Sequence, residues 1–327
     1  MIARRLLLAT PALLLPGLAR GQSAATAAWP DRPVRILVPF AAGGNTDALA
    51  RLTAELLSEG LPGASFIVEN RTGAGGIIAL EALVRAPADG HTLMMASLST
   101  LTIAPVAAAQ PLRFDPVGDV QPIVILGTNP FVLISHRSVE AADTAALIAW
   151  MRARDGRFAF ASGGVGSLQH LTMALLLQRI GVAAEHVPYR GGAPALLDVI
   201  AGNVPVSFAN LSEIMPHRQN PLLRIHGISS RTRNPQAPEI APIAEIVPDF
   251  ETLTWNGLIA PKGLPAALAD RLYGIVAGGL RRPATLARLA NLGADPLGEG
   301  PAPFATRLRA DARLWGDVVR SAGITLQ

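Results

Sequence analysis

Apolar residues in this chain come in short continuous runs, separated by glycine-rich turns and by stretches whose apolar positions recur every three to four residues. Val34-Arg35-Ile36-Leu37-Val38 has the β-branched content of a buried strand, and the segment opening at Asn45 carries a helical period. Between them lies Pro39-Phe40-Ala41-Ala42-Gly43-Gly44-Asn45-Thr46-Asp47, a strand end, a glycine turn and a helix start. The device recurs three times. Residues 66–70 lead into Arg71-Thr72-Gly73-Ala74-Gly75-Gly76 and a helix over 77–84; residues 158–161 lead into Ser162-Gly163-Gly164-Val165-Gly166-Ser167 and a helix over 168–179; residues 186–189 lead into Arg190-Gly191-Gly192 and a helix over 194–200. Strands and helices alternating in steps of roughly 25 to 30 residues make βαβ units, so the fold class is α/β.

One passage breaks the alternation. Residues 121–127 and 131–135 are two apolar runs parted only by Thr128-Asn129-Pro130, too little chain for a helix. They read as one extended crossing from a first lobe into a second, and residues 222–229 read as the return strand. Two crossing strands form a hinge. The expected division is lobe 1 over 29–121 and 229–327, and lobe 2 over 122–228. From Ala266 onward the pattern is helical, with Leu268, Leu272, Val276 and Leu280 on one face for packing.

Composition narrows the class. The chain has 327 residues, enough for about two domains. Met1-Ile2-Ala3-Arg4-Arg5 is basic, residues 6–18 are apolar apart from Thr10, Pro11, Pro16 and Gly17, and Ala19-Arg20-Gly21 offers small residues for a peptidase. Residues 1–21 therefore read as a signal peptide cut near Gly21/Gln22, and the mature protein as exported. The Arg4-Arg5 pair leaves general and twin-arginine export both open. There is no cysteine, hence no disulfide and no thiol chemistry. Removing the three leader arginines takes the formal charge from +4 to +1, which leaves no electrostatic case for nucleic-acid binding. Half the residues are hydrophobic and mean hydropathy is +0.35, yet past the leader no apolar run reaches the roughly 20 residues of a membrane span. That hydrophobicity belongs to a parallel sheet buried on both faces.

The chemistry lies in the four glycine turns. Glycine permits positive φ, expected at Gly43 and Gly44, and leaves backbone N–H groups uncovered; Asn45, Thr46 and Asp47 suit a helix start. Unpaired N–H groups at a helix N-terminus attract an anion, and in open α/β sheets ligands gather at strand carboxyl ends. No turn completes a nucleotide motif: the lysine of a phosphate loop is missing, and Ile78 stands where a third dinucleotide-binding glycine belongs. The six histidines, His91, His136, His170, His186, His217 and His226, show no metal-ligand spacing, so neither metal nor cofactor is expected. His170 reads as a packing or capping residue. Asp47 reads as loop architecture, since its carboxylate would repel an anion; Arg71 reads as a partner of Glu69, and Asp89 as a turn residue. A rival enzyme reading would pair Ser167 with His170, but Gly166-Ser167-Leu168-Gln169-His170 lacks the nucleophile elbow and an orienting acid.

Trp29-Pro30-Asp31-Arg32-Pro33-Val34, residues 39–47, Val68 to Gly76, Ala88-Asp89-Gly90-His91-Thr92-Leu93, residues 162–170, Val187 to Ala195 and Trp255 to Gly263 together resemble the receptors of tripartite tricarboxylate transporters, or Bug receptors, in the right order across the mature chain. The resemblance implies a two-lobed periplasmic binding protein, a flytrap of type II topology. It would hold a small carboxylate in the interlobe cleft and deliver it to a membrane permease, as a monomer and not as an enzyme. Carried over by position, Phe40, Ala42, Gly43, Gly44, Asn45, Thr46 and Asp47 would grip the carboxylate from one lobe, and Ser162, Gly163, Gly166 and Ser167 from the other, largely through backbone N–H groups. Ser97 and Ser99 would line the first lobe, Tyr189 and Asn210 the second. Ala209 departs from the pattern, standing where many members have an acid, and residues 246–250 lack the usual glycines. A ligand-sensing lobe for a membrane signalling kinase needs the same cleft and stays open as an alternative.

Overall fold

The computed structural model describes residues 29–322; the expected leader lies outside them. β1 (Val34–Val38) is followed by α1 (Asn45–Gly60), β2 (Phe66–Asn70), α2 (Ile77–Val84) and β3 (Thr92–Ser97). Both faces of β1 are covered. Val34, Ile36 and Val38 pack with Leu49, Leu52 and Leu56 of α1, while Leu37 points the other way, toward Leu80 and Leu83 of α2. A fully buried aliphatic side chain contributes about 1.5–3 kcal/mol, so these strands tolerate few polar residues. α1 ends at Gly60, where a Cβ would lie 2.4 Å from a methyl of Ile275.

A π-helical turn over Ser99–Ile103 runs into α3 (Ala104–Ala107), and then β4 (Val120–His136) extends without a break. The two apolar runs are indeed one strand. Then come α4 (Thr144–Arg152), β5 (Ala159–Ser162), α5 (Leu168–Ile180), β6 (Glu185–Pro188), α6 (Gly192–Ile200), β7 (Val206–Asn210), α7 (Leu211–Ile214) and β8 (Leu223–Ile228). The chain closes with β9 (Leu253–Pro261), α8 (Ala266–Leu280), α9 (Pro283–Asn291), β10 (Asp295–Glu299) and α10 (Pro301–Ala322).

The strand order is β2-β1-β3-β9-β4-β7-β5-β6, with β8 and β10 also on β4. β4 belongs to both halves: residues 120–130 pair with β9 in the first sheet, and residues 131–136 with β7 and β8 in the second. Each half repeats one plan. The earliest strand sits between the second and third, the third meets an antiparallel crossing strand, and a further antiparallel strand lies beyond it. This is the two-lobed, type II arrangement expected from the sequence.

Two expectations need correction. The strand expected over 222–229 is β8, but it pairs only with the second-sheet half of β4, so it does not itself cross. β9 takes over along β4 at Leu253, opposite Pro130, and Ser229 clamps the junction by donating to Phe131 O from its backbone and to Thr252 O from its hydroxyl, at 2.8 and 2.5 Å. The return crossing is therefore β8 and β9 laid end to end, with residues 230–252 looping out between them. The tail is also not wholly helical. β10 pairs with β4 at Gly127, where a Cβ would meet Asp295 O at 2.5 Å, so the glycine admits this edge strand. Asp-Pro-Leu-Gly-Glu carries no strand alternation, which is why the pattern missed it.

Candidate functional site

The first loop is built around Asp47. Its carboxylate is 3% exposed and accepts the Gly43 N–H at 3.0 Å, Asn70 Nδ2 at 3.0 Å, and Arg51 through Nε and Nη2 at 2.9 and 3.1 Å. Burial works to raise its pKa, but the bonds from Arg51, Gly43 and Asn70 outweigh burial and lower it. Asn70 Nδ2 also holds Phe40 O at 2.9 Å, tying the end of β1 to the end of β2. Asp47 is thus architecture, as expected, and Gly43, at φ +84, turns the chain outward. Gly44 differs from expectation. It is the extended N-cap of α1, at φ −80. Positive φ does not call for glycine there; a Cβ would lie 3.3 Å from Glu213 Oε1, a tight contact to which the carboxyl would have to yield by a few tenths of an ångström.

The opposing loop is equally self-bonded. Ser167 caps α5 by accepting the His170 backbone N–H at 3.2 Å, and Gly163 N–H donates to Gln169 Oε1 at 2.6 Å. Ser162 is fully buried, its hydroxyl donating to Gly164 O at 3.1 Å and lying 2.7 Å from His186 Nε2. Gly166 N–H donates to His170 Nδ1 at 3.3 Å. The His170 ring stacks on His186, with centroids 3.9 Å apart and planes 8° apart, and on Phe160. Burial pushes His170 down to about 3, helped by His186, and His186 down to about 4. His170 thus packs and caps. Its ring is turned to Gly166 and His186, while Ser167 Oγ is taken up by the helix start, so the two do not form a nucleophile and base.

Between the loops is a small, half-open cavity with an interior of about 40 Å³. Of the sequence-expected residues, Phe40, Gly44, Asn45, Thr46, Ser97 and Ser99 line it from the first lobe, and Gly163, Ser167 and Asn210 from the second. The first turns of α1, α5 and α6 all reach it, each with backbone N–H groups that have no partner within the helix. Ser97 and Ser99 join their hydroxyls at 3.0 Å. Ala42, Gly43, Asp47, Ser162 and Gly166 do not line it: the first two sit on the outside of the turn, and the others hold the loops in shape. Tyr189 faces an outer chamber with Phe40, Gly73 to Gly76 and Arg190. Its hydroxyl donates to Asp198, and burial together with that acid pushes its pKa up to about 12. Arg71 donates to Glu69 at 2.6 Å, away from the cavity.

The sequence reading missed Phe131, Leu168, Gln169, Gly192, Glu213 and Thr254. Phe131 and Thr254 come from the hinge, which only tertiary pairing brings over the cleft. Glu213 had a legible signal. It stands three residues after Asn210 in the spacing of a capping box, and its Oε2 accepts the Asn210 N–H at 3.0 Å. It is 7% exposed, and Gln169 Nε2 donates to Oε2 at 3.3 Å. Across the cleft the Asn45 N–H points at Oε1 from 3.4 Å. A Cβ on Gly192 would come within 2.3 Å of Oε1, so glycine lets α6 close over this carboxyl. Burial pushes Glu213 up to about 7, against the opposing bonds from Asn210, Asn45 and Gln169.

The sequence matches the model of the tripartite tricarboxylate transporter family receptor over residues 49–324. The chain belongs to that receptor family. Among its relatives is protein BugT of Bordetella pertussis, 32% identical over 312 residues covering 95% of each chain. Receptors of this family have their likeness among solved structures too. R. palustris Rpa4515 with adipate is 32% identical, with a TM-score of 0.87 over 91% of this chain and 100% of that one. MatC from Rhodopseudomonas palustris with bound malate is 29% identical, with a TM-score of 0.83 over 89% and 100%. Among the described residues no helix is long and apolar enough to cross a membrane, and no group of three or more histidines and acids could hold a metal ion.

Proposed function

We propose that the chain is an exported periplasmic receptor that closes its two lobes around a small organic carboxylate and hands it to the membrane permease of a tripartite transporter. The observation that carries this reading is the meeting of three helix N-termini, α1 from one lobe and α5 and α6 from the other, on one cavity in the cleft. Each dipole favours an anion by about 0.3–1 kcal/mol, more when buried, and each charge-assisted hydrogen bond adds about 1.5–3 kcal/mol. A handful of such contacts reaches the roughly 8 kcal/mol of micromolar binding. Because the donors come from both lobes, ligand binding favours the closed form, as only differential affinity can. The adipate and malate of the two similar structures are in keeping with this chemistry.

The ligand-binding set is Phe40, Gly44, Asn45, Thr46, Ser97, Ser99, Gly163, Ser167 and Asn210, joined by Gln169 and Glu213. The mature chain acts as a monomer, released near Gly21/Gln22. Mass spectrometry of whatever co-purifies from the periplasm, followed by calorimetric titration with four- to six-carbon carboxylates, tests the reading. Micromolar or tighter binding of one of them supports it; turnover of an ester or amide abolished by Ser167→Ala would overturn it.

A further inference from the structure

An anion site built from helix N-termini should not contain an acid, and this one does. Glu213 lines the cavity, is 7% exposed, and its two carboxylate oxygens lie among donors from three elements: Asn45 of α1, Gln169 of α5 and the amide of Asn210. All three donors are neutral amides. The fit is close against two glycines: a Cβ would meet Glu213 Oε1 at 3.3 Å from Gly44 and at 2.3 Å from Gly192. The capping box alone does not account for this placement. It uses the Asn210 N–H, whereas the other two contacts face the opposing lobe and the start of α5.

Resting on the carboxylate reading above, we infer that Glu213 is a specificity-determining residue, and that this receptor takes a small monocarboxylate whose other end presents N–H donors, an amide or an ammonium, in preference to a dicarboxylate. Two physical effects point the same way. A second ligand carboxylate near Glu213 would add like charge in a desolvated space, where repulsion is only weakly screened. An N–H donor instead adds to the three neutral donors already on the carboxylate and further offsets the desolvation of its charge. The ligand carboxylate then takes the donors that Glu213 leaves: the first-turn N–H groups of α5 and the hydroxyls of Ser97 and Ser99.

The test uses isosteric sets at four, five and six carbons: succinate, glutarate and adipate, the half-amide of each, and the ω-amino acid of matching length. These are titrated calorimetrically at pH 8 into the wild type and into Glu213→Gln, which retains the capping geometry. The expected result is that, at the best length, the half-amide or the ω-amino acid binds the wild type at least tenfold tighter than the dicarboxylate, and that Glu213→Gln abolishes or reverses this ratio. Equal or tighter dicarboxylate binding to the wild type overturns the inference, whether or not the variant folds. An unchanged ratio in a folded Glu213→Gln, checked by its thermal transition, overturns it as well. In both cases carboxylates still bind and the receptor reading survives. If no carboxylate of the panel binds either protein, the carboxylate reading fails and this inference fails with it.

Discussion

Ser212 donates its hydroxyl hydrogen to Asn45 Oδ1 at 2.9 Å, joining the start of α7 to the start of α1 across the cleft although 167 positions separate them. Asn45 Nδ2 in turn donates to Asn256 Oδ1 at 2.7 Å, and Asn256 Nδ2 to Thr46 Oγ1 at 2.9 Å. All four residues are buried, so when the lobes are together no water replaces a lost partner. With Ala41 N–H donating to Arg190 O at 3.0 Å, this network carries the contact between lobes beside the cavity.

Asn45→Ala removes the hub of that network, stranding the Ser212 hydroxyl and Asn256 Oδ1. Each buried group left without a partner costs about 1–3 kcal/mol; the cost at Asn256 falls within the first lobe, and the cost at Ser212 falls on the contact between lobes, because only that bond crosses from one to the other. The expected outcome is a larger radius of gyration by small-angle scattering, together with a lower thermal midpoint. A lowered midpoint at an unchanged radius would show that the network stabilises the first lobe alone.

Gly192→Ala and Gly274→Ala should move stability in opposite directions. The first places a Cβ 2.3 Å from Glu213 Oε1 and 2.6 Å from Gln169 Nε2, an overpacking that costs about 1–3 kcal/mol and displaces the carboxyl. The second meets nothing within 4 Å inside α8, and replacing a helical glycine gains about 0.4–1 kcal/mol. Urea midpoints at pH 7 measure both, and a neutral Gly192→Ala would mean that Glu213 is free to swing away.

The pH dependence of stability should carry the mark of Glu213. In the folded chain burial holds its proton up to about pH 7, whereas the unfolded carboxyl releases it near 4.5. The folded state therefore binds the extra proton between those values, and stability from this group falls as pH rises from 4.5 to 7, then stays level. Glu213→Gln lacks that penalty. Because the variant does not titrate there, its stability relative to the wild type should improve by about 3 kcal/mol between pH 4.5 and pH 8. A difference that does not change with pH would show that the carboxyl is not desolvated.

His170 gives the opposite slope. Folded, it titrates at about 3, and unfolded near 6.5, so its contribution is complete above pH 6.5 and lost as pH falls toward 3. At pH 5 the loss is about 2 kcal/mol. Because Glu213 works in reverse over the same window, the comparison belongs in the Glu213→Gln background. There His170→Phe, which keeps the stack on His186 and Phe160, should flatten the fall in urea midpoint between pH 7 and pH 5. An equally steep fall would place the acid sensitivity in another group, such as His226, which burial also holds down at about 4.

Much of the fold was legible because its signals are local. β1 with α1 and β5 with α5 declare themselves through apolar run, glycine turn and amphipathic period, and the length of β4 follows from the lack of chain for a helix between two apolar runs. The loops facing the cleft were legible for the same reason, since helix-start chemistry sits within a few residues of the strand end. β10 was not legible, because its pairing depends on Gly127, far away in sequence. The sequence pattern puts the crossing one strand early because β8 and β9 look alike as apolar runs, and only their register on β4 tells which sheet each belongs to.

What the sequence determined by itself is therefore the alternation, the four glycine turns, the two-lobed plan and the family. Each depends on a pattern that a short window or an ordered set of motifs carries. Which polar groups face the cavity was decided by tertiary structure alone. Asp47 turns inward to bind its own loop, Ser162 turns to His186, and Glu213 crosses to Asn45, because every buried donor and acceptor must find a partner and the available partners come from elements far apart in the chain. No local rule says that the glycines at 44 and 192 leave room for an acid at 213; that follows only once the two lobes have met.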